Sequence, residues 1–446
     1  MRSSSLFAAL LGSAACASAA TIPRKVPITR DGFTKIRPGR VKDMIVSEET
    51  TLNGTHKGDV RIVPAPDLQA AETSLPFHFI NNFDGEINAY VTGLDSAGAT
   101  VFVLADGSLT YPSAGGSEVP VPIENVKIPL GVGESLDMTL PTALISGRIY
   151  FAAGELEFGV VTNPDGEGVV QPAPENPEDP SSGVNWGMVE LTLNDGGIWV
   201  NLSQVDFVGM PLGIELEVSD GDTMAVHGVT GDAVARMCET LQQQTDADGR
   251  PWSSMCMGGD DGPIRVLSPT KYYDVDAEGF QDYYDDYINE VWDKYSSEPL
   301  TINTQRVGDS VCQVSGDELS CDGDNRAYPK PTTLDIWGCN SGPFTVLDGD
   351  NEFHSQIVPR LCAAFVRSTL LLDGGNIQPS LGQDSYYTVD PTNHYSRAVH
   401  EHEVDGRGYA FAYDDVNPDG DENASGSLHS EVPTKLTVFV GNPPEQ

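Results

Sequence analysis

Two carboxyl side chains, Glu190 and Asp206, stand on one short stretch that reads WGMVELTLNDGGIWVNLSQVDF from Trp186 to Phe207. Val189, Leu191 and Leu193 alternate with Glu190, Thr192 and Asn194, the period of a strand with one dry and one wet face. Asn194-Asp195-Gly196-Gly197 is turn chemistry, because glycine accepts positive φ and Asn or Asp accepts it better than most residues. A second strand returns from Ile198 to about Phe207 and delivers Asp206. One hairpin thus carries a pair of acids. Such a pair suits the hydrolysis of a glycosidic bond, where one carboxyl protonates the leaving oxygen and the other activates water or attacks. Spacing alone does not single the pair out. The chain has 66 acidic residues, and two solvated surface acids would read the same way.

The register of this hairpin makes a definite demand. If Leu193 faces Ile198, Glu190 opposes Asn201, and Asp206 points to the other side of the strand. Both acids can then serve one sugar only if the chain gains a residue or turns sharply. A bulge or bend is therefore expected within Leu202–Val205, with Glu190, Asn201 and Asp206 on the same side.

The residues Trp186, Glu190-Leu-Thr-Leu-Asn194, Val205-Asp206-Phe207-Val208 and Pro211-Leu-Gly213 together resemble the signature of glycoside hydrolase family 64. The likeness extends to Ser146-Gly-Arg-Ile-Tyr-Phe151, to Asn393-His-Tyr-Ser-Arg397 and to Tyr409-Ala-Phe-Ala-Tyr-Asp-Asp-Val416, and covers roughly residues 75–441. It departs at Gly187-Met188-Val189, where the family carries acidic or aromatic residues. The resemblance implies an inverting endo-β-1,3-glucanase that releases laminaripentaose, on a thaumatin-like fold with a wide groove between two domains. It places the catalytic acid on Glu190 and the base on Asp206. Thr192 and Asn194, on the face of Glu190, are then candidates to bind sugar hydroxyls, as is Asn201. Trp199 offers a flat ring for stacking on sugar, with ordinary core packing as the plainer alternative. Asp414 or Asp415 would complete the acidic cleft. The rival reading is a thaumatin-like module that grips β-1,3-glucan or acts on fungal walls without hydrolysing it.

Composition agrees with a neutral polysaccharide as partner. A net charge of −41 opposes binding to nucleic acid or an anionic membrane, both polyanions. Met1 to about Ala20 reads as a secretory signal, with Arg2, an apolar run and the small-residue site Ala17-Ser18-Ala19. No other run approaches the length needed to cross a bilayer. A secreted, extracellular monomer is expected, with no cofactor. Without Cys16 six cysteines remain, which permit fifteen pairings in an oxidising compartment. Sequence proximity favours Cys238–Cys256, Cys312–Cys321 and Cys339–Cys362. Sequons stand at Asn53, Asn201 and Asn423, so the protein reads as a glycoprotein at the first and last; Asn201, inside the hairpin, is expected to be bare.

Residues 21–74 form a basic arm with Arg24, Lys25, Arg30, Lys35, Arg37, Arg40 and Lys42. A propeptide, a solvated linker and an arm lying on the acidic body all fit it. Residues 75–225 read as short strands between Gly, Pro, Asn and Asp turns, the pattern of a β-sandwich or barrel. The prolines of 172–180 mark a loop. Residues 226–404 read as a mixed α/β domain inserted into the sandwich and holding all six cysteines. Helices are expected from about Thr230 to Leu241, along the aromatic stripe Phe280–Tyr295, and over Ile357–Leu371 with Pro359 near its first turn. The stripe is read as core. Residues 405–443 return to the sandwich, with strands at Tyr409–Tyr413 and Thr434–Val440.

Two other clusters invite metal. In His400-Glu401-His402-Glu403, strand alternation would put both histidines on one face with no third ligand in sight. Asp415-Val-Asn417-Pro-Asp419-Gly420 resembles half a calcium loop, but Gly426 occupies the twelfth position, where a bidentate Glu is required. No metal is expected at either.

Overall fold

The computed structural model describes residues 32–47, 50–52, 73–164, 166–420 and 425–441. The signal segment, the first part of the basic arm and the sequons at Asn53 and Asn423 lie outside the described residues.

Alternating apolar residues build two sheets that share one core. The larger sheet runs in the order Leu428–Ser430, Gly197–Leu202, Asn185–Asn194, Leu144–Ala153, Ile87–Leu94, Thr100–Val103 and Leu109–Thr110, with Ile128–Leu130 also paired to Ile87–Leu94. The other runs Thr223–Val226, Leu212–Val218, Pro433–Gly441, Leu75–Asn82 and Ser135–Leu140. Its central strand is the C-terminal one, laid parallel to Leu75–Asn82. Phe79, Val91, Phe151, Val189, Leu191, Ile214 and Val438 fill the space between the sheets. This is a mainly β sandwich, as the strand pattern predicts.

The opposite face of the larger sheet changes character along its length. At one end Tyr90, Phe102, Tyr150, Trp186 and Met188 sink into a second, larger core shared with the helices. Further along the same face, Glu190, Thr192, Trp199 and Asn201 are only partly covered or exposed. The sheet is therefore anchored on both sides at one end and presents polar side chains at the other.

The second core holds the expected helices, with corrections at their ends. The first is Ala233–Asp248, closed by Gly249 at φ 74°. The aromatic stripe becomes the helix Asp285–Ser297, burying Tyr287, Ile288, Val291, Trp292 and Tyr295, while the residues just before it form turns. The third helix is Glu352–Val366, so Pro359 lies inside it and not in its first turn. Asn351 caps it by accepting from the His354 backbone N–H, which starts the helix well before the apolar run. The backbone bond that proline forfeits is offset by burial of Ile357, Val358, Leu361 and Phe365. Short helices at Pro269–Tyr273, Thr333–Gly338 and His394–Glu401 were too brief to leave an apolar period. The last of these places His400 and Glu401 in a helical turn, so the strand alternation expected there does not form.

The three disulfides join Cys238–Cys256, Cys312–Cys321 and Cys339–Cys362, as chain proximity predicts. Tyr409–Tyr413 is not a strand: Tyr409 makes a single bridge to Ser203, and the chain then turns. The return to the sandwich comes through Leu428–Ser430 and Pro433–Gly441. The described part of the basic arm lies on the body. Thr34–Lys35 pairs with Cys256–Gly259, Arg37 N–H donates to the Pro177 carbonyl at 2.8 Å, and Gly39 N–H donates to that of Glu178 at 3.0 Å. Among the described residues no helix is long and apolar enough to cross a membrane.

Candidate active site

The hairpin adopts the register its turn requires. Leu193 pairs with Ile198, Thr192 with Trp199 and Glu190 with Asn201. The ladder stops at Leu202. Val205 and Asp206 form a bend, and Phe207–Val208 joins a different sheet by pairing with Gly262–Leu267. The sharp turn expected between the strand and Asp206 is thus present as a change of sheet.

A knot of hydrogen bonds fixes that departure. Gln204 N–H donates to the Tyr409 carbonyl, Tyr409 N–H donates to Gln204 Oε1, each at 3.0 Å, and the buried Tyr395 hydroxyl donates to the Gln204 carbonyl. Two residues on, the Asp206 carbonyl accepts from Ser268 N–H at 2.8 Å. Beyond the bend, Met210 N–H donates to the Trp186 carbonyl at 3.0 Å, returning the chain to the start of the Glu190 strand. Gly209 and Gly187 allow this approach: a Cβ on Gly209 would lie 2.2 Å from the Trp186 carbonyl, and one on Gly187 would lie 2.6 Å from that of Met210. The departure at Gly187 thus has a packing reason.

Arg148 is the cross-strand neighbour of Glu190 on its other side. Its Nη2 lies 3.3 Å from Glu190 Oε1, and the Glu190 side chain keeps 32 % of its surface exposed. Arg148 Nη1 donates to Gln171 Oε1 at 2.9 Å, and the Tyr150 hydroxyl donates to the same oxygen. Burial works against the Arg148 charge, yet Tyr150, Glu190 and Asp206 together hold its pKa above the usual value. Burial likewise pushes the Tyr150 phenol up, with Arg148 opposing. One guanidinium therefore lies within the field of both acids. Glu175 is buried, with Lys271 Nζ 3.9 Å from its Oε1. Burial raises the Glu175 pKa to about 7, with Lys271 opposing and Asp206 adding to the rise.

Thr192, Trp199 and Asn201 share the Glu190 face through the ladder. Trp199 packs against His429, its partner on the neighbouring strand, at 4.4 Å between ring centroids. Asn201 Oδ1 is enclosed without a hydrogen-bond partner. Asn194 closes the turn, its Oδ1 accepting from Gly196 N–H at 2.8 Å.

The two neighbouring acids near the C-terminus part company. Asp414 is buried, 1 % exposed, and its carboxylate accepts from Arg367 at 2.9 Å, His400 Nε2 at 3.1 Å and Ala410 N–H at 2.9 Å. It is occupied with holding the turn. Asp415 is exposed, and the Tyr409 hydroxyl lies 3.4 Å from its Oδ1. Burial raises the Tyr409 pKa, with Asp415, Asp414 and Glu190 adding to it. His400 also contacts Glu403, and Asp419 accepts from Asn303 and Gln305, so both clusters that suggested metal are tied into protein. Among the described residues no three His, Cys, Asp or Glu side chains gather as a metal site.

The sequence profile of the glycoside hydrolase 64 family, described as Beta-1,3-glucanase, matches residues 73–440. The chain belongs to that family. Two relatives, each a glucan endo-1,3-beta-glucosidase, come from Cellulosimicrobium cellulans and Arthrobacter sp. (strain YCWD3); each is 31% identical over 299 residues, 64% of this chain and 50% of theirs. The chain spans about half the length of these curated relatives. A laminaripentaose-producing β-1,3-glucanase solved with laminaritetraose is 29% identical, with a TM-score of 0.72 over 82% of this chain and 98% of the other. A family 64 domain from Clostridium beijerinckii, 22% identical over 84% of this chain and 100% of its own, shares the fold at a TM-score of 0.65.

Several residues around this candidate site carry no clear site signal in the sequence. Arg148 lay in plain view inside Ser146–Phe151, but nothing local shows which strand it neighbours. Gln171 opens a proline-rich loop and carries no signal. Tyr409 and His429 come from far along the chain, and only the fold brings them to the hairpin.

Proposed function

We propose that this chain is a secreted, endo-acting β-1,3-glucanase that inverts the anomeric centre, with Glu190 as general acid and Asp206 as general base. The observation that carries the proposal is the single arginine, Arg148, which touches Glu190 and lies within the field of Asp206. Its charge is favoured both by Glu190 on the hairpin strand and by Asp206 on the bend that follows. Glu190 gives its proton to the glycosidic oxygen as the bond to C1 breaks. Asp206 takes a proton from the water that attacks C1 from the opposite side. Arg148 and Gln171 hold the Glu190 carboxyl in place, and the Gln204–Tyr409 knot holds Asp206. Trp199 stacks on a glucosyl ring, while Thr192, Asn194 and Asn201 face its hydroxyls. A neutral glucan meets no electrostatic penalty from a chain of net charge −41. Family membership supports the substrate class.

The test is incubation with linear β-1,3-glucan, following reducing ends and the anomer first released by NMR. The expected product is the α-anomer, together with internal cleavage. Glu190→Gln and Asp206→Asn should each lower kcat by about 10²- to 10⁴-fold with an unchanged melting temperature. Full activity in either variant, or a β-anomeric product, refutes the assignment. Tight glucan binding without hydrolysis by the unaltered protein would make it a binding module instead.

A further inference from the structure

Trp199 keeps 38 % of its surface exposed, whereas Trp186, Trp252, Trp292 and Trp337 are buried. Its ring edge lies near Gly196, where an added Cβ would stand 3.3 Å away, and the imidazole of His429 packs against the indole at a tilt of 36°. His429 is exposed and lies on the strand Leu428–Ser430, the last in the sheet order. Leu428 and Ser430 are buried on the reverse face, so the alternation of the strand turns His429 outward beside Trp199. Thr192, Trp199 and His429 therefore form one row across three strands. That row spans about 10 Å and lies one step, roughly 7 Å, from the row that holds Glu190 and Asn201.

We infer that His429 is a specificity-determining residue that extends the sugar platform beyond Trp199 to the edge of the sheet. There it takes a further glucosyl ring and so favours longer β-1,3-glucan chains. The His429 ring lies one strand beyond Trp199, 4.4 Å between centroids, and carries the flat surface on toward the sheet edge, where the next sugar of a chain seated on Trp199 would fall. Imidazole suits the position. Its flat face packs on the C–H face of a sugar, and its ring nitrogens meet hydroxyls as donor or acceptor. The inference rests on the glucanase reading of this face, and adds to it a residue and a chain-length preference.

The experiment uses the Glu190→Gln protein, which holds substrate uncleaved, titrated with β-1,3-linked oligosaccharides from the disaccharide to the hexasaccharide. Calorimetry gives the affinity, and quenching of tryptophan fluorescence reports on Trp199. Adding His429→Ala should weaken the hexasaccharide by about three- to tenfold and leave the disaccharide unchanged. His429→Phe, which keeps a ring, should restore most of the loss. Equal weakening at every length would show that His429 only braces Trp199, and unchanged affinity at every length would remove it from the site; either overturns the inference while leaving the glucanase reading intact. If the unaltered protein neither binds nor cleaves any β-1,3-glucan, both fall.

Discussion

Replacing His400 by Gln should cost stability in acid and neutral solution but almost nothing in strong alkali. His400 lies in the last turn of the helix His394–Glu401, with Nδ1 3.1 Å from Glu403 Oε2 and Nε2 3.1 Å from Asp414 Oδ2. Burial disfavours its charge, but the two carboxylates prevail and lift its pKa to about 10. In the unfolded chain the value is near 6.5. Between those limits the folded state holds a proton that the unfolded state has lost, so stability falls as pH rises. The contribution is fully present below about pH 6.5 and is gone above about pH 10. Each pKa unit is worth about 1.4 kcal/mol, so the whole window amounts to roughly 3–5 kcal/mol. Glutamine keeps a polar side chain of similar size but cannot take the proton. Urea unfolding of both proteins from pH 6 to 10.5 measures the gap, and groups common to both cancel in the difference. The gap should shrink steadily with pH. A gap that stays constant, or widens, would show that His400 is neutral in the folded protein.

Two further expectations bear on the frame around the site. Replacing both Cys339 and Cys362 by Ser should lower stability by about 3 kcal/mol, the loop-closure value for a separation of 23 residues, read as a lower urea midpoint; an unchanged midpoint would mean that Leu361, Phe365 and their neighbours hold the helix unaided. Gly209→Ala should cost about 1–3 kcal/mol by forcing a methyl group onto the Trp186 carbonyl, and should lower kcat further by shifting the bend that bears Asp206. Thermal denaturation and initial rates check it, and unaltered values in both would show that the segment yields freely.

What the sequence disclosed and what it concealed divide along physical lines. The register of the hairpin could be worked out from Asn194–Gly197 because a tight turn fixes which residues oppose one another. That register then required the chain to turn before Asp206, and it does. The disulfides were legible for a similar reason, since each closes a short loop within one element cluster. Helix ends were less so: Asn351 sets the start of its helix by one side-chain bond, ahead of any apolar period. Tyr409–Tyr413 looks like a strand by composition, but Asp414 draws the backbone into a turn around Arg367 and His400. Asp414 and Asp415 are indistinguishable by sequence position, and only the buried arginine separates their roles. Arg148 and His429 belong to the hairpin through sheet order alone, which no local pattern encodes.

The place of Pro433–Gly441 at the centre of the five-stranded sheet bears on how the chain must be made. Leu75–Asn82 is made long before Pro433–Gly441, and Leu212–Val218 between them, yet each has Pro433–Gly441 as a neighbour. Until that strand leaves the ribosome, both present unpaired apolar edges of the kind that other chains readily pair with. The sandwich therefore closes only after Pro433–Gly441 has been made, by a pairing of very high contact order, which is slow. A chain cut short before Pro433 lacks the middle of a sheet and not merely its margin. Loss of those few residues leaves two open edges and no site, however intact the hairpin that bears the acids.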